Sequence, residues 1–230
     1  MQMKKELSAK QITTILSICC LIIIGCILCA AFIYADNNQK KKFVYEDHLE
    51  DTVVTIDGAD ITLREVTYYV IKMEAFVDAA AHEYNPSRPQ AYWNMYINNT
   101  FLRSQAKKST MNLFIRDYIY YLEAVELGLT LSDEQINTIH DEIYTTFKNM
   151  SASQMNLTGY TETELYNILY RVEMAKAYTT HICTLNEELV EEDFNPDGSH
   201  FNEIYEKHSI SVNNDIWDGV KMGFISINND

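Results

Sequence analysis

Apolar and polar positions change their spacing several times along this chain, and each change marks an element. From Ile12 to Ala35 no charge appears, and Ile, Leu, Cys and Ala dominate. Asn37 to Asp51 is polar and mostly charged, as a linker would be. Thr52-Val-Val-Thr-Ile56 is β-branched and alternates, which predicts a short strand, and Asp57-Gly58 marks a turn. Thr62-Leu-Arg-Glu65 has the spacing of a capping box. Val66, Val70, Met73 and Val77 follow at helical intervals, with Tyr69, Phe76 and Tyr84 widening the stripe. This helix should stop at Asn85-Pro86-Ser87-Arg88-Pro89, because the residue before a proline is pushed out of the helical region.

The aromatic cluster Tyr92 to Ile97 then forms a short helix or loop. A second long helix is expected from about Thr100 to Leu127, with Phe114, Tyr118, Tyr121 and Val125 on its apolar face and Gly128 as a left-handed stop. Ser132-Asp-Glu-Gln135 and Thr161-Glu-Thr-Glu164 are further capping boxes. The first opens a helix with Ile136, Ile139, Ile143 and Phe147 inward. The second opens one carrying Leu165, Ile168 or Leu169, Val172 and Ala175 and running past Leu185. Asn195-Pro-Asp-Gly198 is a turn and Phe201, Ile204 and Tyr205 a short helix. Ile210 and Val212, then Val220, Met222 and Phe224, suggest short strands. The fold expected is mainly α, with a small β element made by the two ends of the domain. Residues 1–35 are expected to be a tail and membrane segment, 36–51 a linker and 52–230 a helical domain.

The apolar segment adds a location. Roughly 24 residues rising 1.5 Å each reach about 36 Å, enough to cross a bilayer core. The run is longer than the apolar core of a cleaved signal peptide. With Lys4, Lys5 and Lys10 ahead of it, it reads as an uncleaved signal anchor. Ile23-Ile-Gly-Cys26 also has the form of a lipobox with Cys26 as the lipidated residue, and cleavage after Ala35 is a third possibility. All three place residues 36–230 outside the cytoplasm, and the anchor reading makes a single-pass cell-membrane protein held by residues 12–35. The lysines Lys40 to Lys42 suit anionic headgroups.

Composition narrows the function. A net charge of −15 argues against a nucleic-acid partner, which needs a basic footprint. Cys19, Cys20, Cys26 and Cys29 lie in the apolar segment, so Cys183 alone remains for the domain and no disulfide can form within it. Cys183 reads as an inert, buried thiol. Asp193-Phe-Asn-Pro-Asp-Gly198 copies the start of a calcium loop through Asp193, Asn195 and Asp197. The chelating acid position is Ile204, with Glu203 one place early, so a plain turn is favoured. The histidines show no metal-ligand spacing, and there is neither a nucleophile elbow nor a phosphate-cradling glycine loop. No cofactor is expected.

The order of strand, Asp-Gly turn, capped helix and long helix resembles a known family. Ile56-Asp-Gly-Ala-Asp-Ile-Thr62, the helix end and restart from Glu123 through Gly128 to Ile136, and Gly159-Tyr-Thr-Glu-Thr-Glu-Leu165 carry the likeness. The returning segment Lys207 to Trp217 completes it. Together they resemble the N-terminal chaperone domain of SurA/PrsA-type foldases, related to the peptide-binding region of trigger factor. The family's enzymes add a parvulin-type prolyl isomerase domain, for which the chain after His181 is too short. The resemblance therefore implies a chaperone scaffold rather than isomerase catalysis, with unfolded or secreted polypeptides as partners. Tyr68, Tyr92, Trp93, Tyr96 and Tyr120 are the candidate contact residues, since tyrosine and tryptophan combine a large apolar body with a polar tip. The alternative is a structural or partner-docking subunit of a membrane assembly.

Overall fold

The computed structural model describes residues 43–226. The segment 12–35, Cys26 and the lysines at 40–42 lie outside the described residues. No helix among the described residues is long and apolar enough to cross a membrane.

The domain is mainly helical with a small sheet. Strands β1 (Thr52–Ile56), β2 (Ala59–Thr62) and β5 (Ile210–Val212) form an antiparallel sheet in the order β2-β1-β5. Asp57 and Gly58 both take positive φ, 50° and 83°, the geometry that a two-residue hairpin needs to match strand twist. The structure extends the expected single strand into this hairpin. Val54 pairs with Val212 and Ile56 with Ile210, so the two ends of the domain close against each other. A register shift between Thr52 and Val54 turns Val53 inward as well. His208 fastens this sheet to the helices: its Nδ1 lies 2.6 Å from Asp57 Oδ2 and its Nε2 3.2 Å from Glu123 Oε1. Carboxylates only accept, so both bonds form when both ring nitrogens carry hydrogen.

Helix α1 spans Leu63–Tyr84, the short α2 Pro89–Trp93 and α3 Leu102–Glu126. Between α2 and α3 sits a small hairpin, β3 (Tyr96–Ile97) and β4 (Thr100–Phe101), turned by Asn98 and Asn99 at positive φ. Then come α4 (Asp133–Asn149), α5 (Ala152–Thr158), α6 (Glu162–Leu185), α7 (Ser199–Tyr205) and α8 (Asn214–Trp217). Short 3-10 turns cover Tyr45–His48 and Glu191–Phe194. The sequence from Tyr45 is thus packed rather than a free linker: Tyr45 and Leu49 are buried, and Tyr45 shares a 2.8 Å hydrogen bond with Thr67.

Local chemistry explains most boundaries. Ser132 with Gln135 and Thr161 with Glu164 form complete capping boxes. Thr62 caps α1, but Glu65 does not reach back, because its carboxylate is taken by Arg171 of α6. Gly128 N–H donates to Val125 O and Leu129 N–H to Ala124 O, which closes α3 around a left-handed glycine. Helix α5 was not expected; Ser151 and Gln154 box its start and Gly159 stops it. Helix α6 ends at Leu185 rather than running on.

Helix α3 packs along α6 and α1, and α4 packs along α6. Ile139 and Ile143 of α4 meet Leu165, Ile168 and Leu169 of α6 in a core that also holds Tyr68 and Tyr160. Three apolar expectations fail: Val125, Phe76 and Tyr84 are exposed, Phe76 by 74%. Each has helical spacing, yet among the described residues each leaves much of its side chain in solvent. Val220–Phe224 is not a strand but a run of turns and bends.

Two outcomes follow. Leu165→Ala should cost about 2–5 kcal/mol, since Leu165 is fully buried, while exposed Val125→Ser should stay within about 0.5 kcal/mol. Urea midpoints measure both, and equal shifts would show that this core is misassigned. The second concerns pH. Asp57 titrates below its ordinary 3.8, first through the His208 hydrogen bond and then the Ser209 N–H. Glu164 titrates below its ordinary 4.5 because the Thr161 backbone N–H and hydroxyl donate to it. A depressed native carboxyl contributes stability that is complete above its unfolded pKa and lost as pH falls through its native one. Asp117, raised by burial, has the opposite sign: its contribution is present on the acid side and fades as pH rises toward its native value. The melting temperature should therefore fall below about pH 4. Asp57→Asn with Glu164→Gln should flatten that fall, and an unchanged slope would clear both groups.

Candidate functional site

The residues with binding chemistry fall into two regions. The first is built around Glu74, in the middle of α1. Its relative exposure is 0%, and it sits on the face shared by Val70, Val77 and Ala81, all buried. Its carboxylate is held by a segment almost at the far end of the described chain. Oε1 accepts from the backbone N–H groups of Gly223 (2.5 Å), Phe224 (3.2 Å) and Ile225 (3.2 Å). Oε2 accepts from the Ser226 N–H and hydroxyl, both at 2.6 Å. Successive N–H groups converging on one anionic group make a nest.

Trp93 and Arg103 flank the same segment. A Cβ placed on Gly223, where φ is +84°, would come within 2.8 Å of the Trp93 ring, so glycine is required there by both conformation and space. The Arg103 guanidinium lies over the Phe224 ring, 4.2 Å from its centre. Val220 and Met222 are buried, and Gln154 Nε2 of α5 donates to Ser226 O. The segment leaves three buried donors without partners among the described residues: Trp93 Nε1, Arg103 Nε and Arg103 Nη2.

Beside this segment, exposed rings gather on consecutive elements. Tyr84 at the end of α1 meets Tyr92 of α2 at 5.5 Å between centroids. Tyr96 and Phe101 pair across the β3–β4 hairpin at 5.1 Å, with the Tyr96 hydroxyl donating to Asn99 O. Tyr84, Tyr96 and Phe101 are each more than half exposed.

The second region is a cleft of about 740 Å³ between α3, α6 and the Glu191–Phe194 turn, open to solvent. Tyr120, Ala175, Thr179, Cys183 and Phe194 line it, and Asp117 lies at its wall. Asp117 accepts from Arg116 and from the Tyr69 hydroxyl, and burial raises its pKa against those two partners. Lys176 is paired with Glu173. Cys183 is half-buried rather than enclosed.

Of the five candidate contact residues, Tyr92 is half-buried against Tyr84 and Tyr96 is exposed against Phe101. Trp93 lies directly beneath the Gly223 segment, fully buried. Tyr68 is buried in the α1–α4–α6 core, where its ring meets Tyr69 edge-on. Tyr120 is buried between α3 and α6, its hydroxyl donating to Phe194 O at 3.2 Å. None of these three rings is exposed on the surface. The stretch weighed as a calcium loop has the geometry of a turn. Asp193 spends Oδ2 on the Val190 N–H and Oδ1 on the Ser199 hydroxyl, as a turn cap, and Asn195 and Asp197 are exposed. Among the described residues no three His, Cys, Asp or Glu side chains are grouped to hold a metal. Glu74 was missed, although its place between Val70 and Val77 on an apolar stripe was a readable signal.

No protein-family model matches this chain, and no curated protein or solved structure is significantly similar to it.

Proposed function

We propose that this domain binds unfolded or secreted polypeptides as a membrane-tethered, extracytoplasmic chaperone-like protein, on a scaffold resembling the SurA/PrsA-type N-terminal domain. The observation that carries the reading is the exposure of three aromatic rings on consecutive elements, Tyr84, Tyr96 and Phe101, with half-buried Tyr92 against Tyr84. These rings pair with one another, not with the core, so they cost little to expose and remain available to apolar side chains. Weak, adaptable contact over such a surface suits partners without fixed structure. The capped helices and end-to-end sheet agree with the resemblance in order. The apolar segment 12–35 supplies the tether, and residues 43–226 form the part that meets clients.

The full chain in lipid nanodiscs should slow aggregation of a chemically unfolded client. A triple change, Tyr84→Ser, Tyr96→Ser and Phe101→Ser, should remove most of that protection. These side chains are exposed, so stability should move by only about 0.5 kcal/mol per site. Protection that survives the triple change places client binding elsewhere, and a wild-type chain without protection ends the proposal. Mass spectrometry of the native N-terminus should find the apolar segment intact; a chain beginning at a lipidated Cys26 or at Asp36 would replace the anchor.

A further inference from the structure

The segment Val220–Ser226 is held in an unusual way for part of a core. It has neither helix nor strand structure, and it is held both by main-chain N–H groups on Glu74 and by the buried side chains of Val220 and Met222. The main-chain part is blind to sequence: successive N–H groups presented in the same turn satisfy Glu74. The side chains add requirements, since positions 220 and 222 must be apolar to fill the space they occupy. Position 223 must be glycine, because of its positive φ and the Trp93 ring, and position 224 stacks an aromatic ring on Arg103.

The segment is also an imperfect occupant. Trp93 Nε1, Arg103 Nε and Arg103 Nη2 are shut off from water and unpaired while it is in place. Buried donors without acceptors weaken the state that contains them. A chain whose carbonyl or carboxylate oxygens reached these donors would be bound better than the segment itself.

We propose that the groove between α1, α2 and the start of α3 is a polypeptide-binding site that this chain fills with its own Val220–Ser226. Its client is a polypeptide turn with glycine followed by an aromatic residue, which enters by displacing the segment. The inference rests on the client-binding reading above and supplies its substrate class. Glu74 anchors the client's backbone N–H groups, Trp93 is the floor under its glycine, and Arg103 takes its aromatic ring and an acceptor oxygen. Half-buried Tyr92 and the exposed rings of Tyr96 and Phe101 lie on the elements that follow α1 in the chain, α2 and the β3–β4 hairpin. In the resting protein, the tethered segment competes at high effective concentration, so free clients bind weakly.

A fluorescent peptide of the sequence 219–226, added to the full chain in nanodiscs, tests this. Gly223→Val expels the protein's own segment and should tighten peptide binding by about tenfold or more over wild type. Adding Glu74→Ala should abolish the gain, and a peptide carrying valine at the glycine position should not bind. A Gly223→Val protein with wild-type helicity and no gain in affinity overturns the proposal. If that variant does not fold, hydrogen exchange on the wild type decides. Amides 223–226 should exchange through local opening, well ahead of those of α3 and α6. Protection equal to that of α3 would show that the segment never leaves, and would overturn the proposal. Aggregation assays on the same proteins separate the two ideas. Peptide binding without protection keeps the groove and sinks the chaperone reading. Protection by Gly223→Val without peptide binding does the reverse.

Discussion

A carboxylate cut off from water must find donors, and Glu74 finds five in one place. Leaving even a neutral polar group unsatisfied in the interior costs about 1–3 kcal/mol, and an anionic group costs more. Its neighbours on the α1 face, Val70, Val77 and Ala81, have apolar side chains that offer it no donor. The constraint therefore acts over the whole domain: residues about 150 positions later must return to the middle of α1. That return brings Gly223 onto Trp93 and Phe224 onto Arg103. The position of α2, the burial of its tryptophan and the entry to α3 all follow from one side chain.

The same chain closes a second time, by other means. At the sheet, β1 and β5 pair, and His208 bridges the Asp57 turn to Glu123 of α3. Between these two closures the helices need only local rules. Capping boxes start α4, α5 and α6, and left-handed glycines end α3 and α5. Long-range polar contacts thus fix the ends of the domain, and apolar stripes fill its middle. The Glu65–Arg171 and Tyr160–Arg64 contacts tie α1 to α6 and its lead-in, so α1 is held on two sides.

This division explains what could be read from the sequence. Ser132–Gln135, Thr161–Glu164 and Gly128 were legible because each works within a few residues. The stripe of α4 was legible because Ile136, Ile139, Ile143 and Phe147 share one neighbour, α6. Glu65 was half-legible: its spacing predicts a box, but an arginine distant in sequence outcompetes the cap. Val220 and Met222 are buried while Phe224 is exposed, because they belong to an irregular clasp around Glu74, a partner that periodicity cannot name. The burial of Tyr68, Trp93 and Tyr120 was illegible for a related reason. An aromatic residue carries the same pattern whether its ring meets a client or a neighbouring helix, and only the packing of α4, α6 and the Gly223 segment decides.

The contrast between the two concave regions follows from the same accounting of partners. The α3–α6 cleft is the larger, but its polar walls are already satisfied. Arg116 and Tyr69 hold Asp117, Glu173 holds Lys176, and Phe194 O accepts from Tyr120. A ligand there would have to break paired contacts between two packed helices. The groove under Val220–Ser226 is the reverse: its occupant is irregular, its apolar rim stays in water, and three of its buried donors lack acceptors. Binding energy is gained where partners are missing. On that ground the region between the end of α1 and the β3–β4 hairpin, rather than the α3–α6 cleft, is the one we propose for a polypeptide partner.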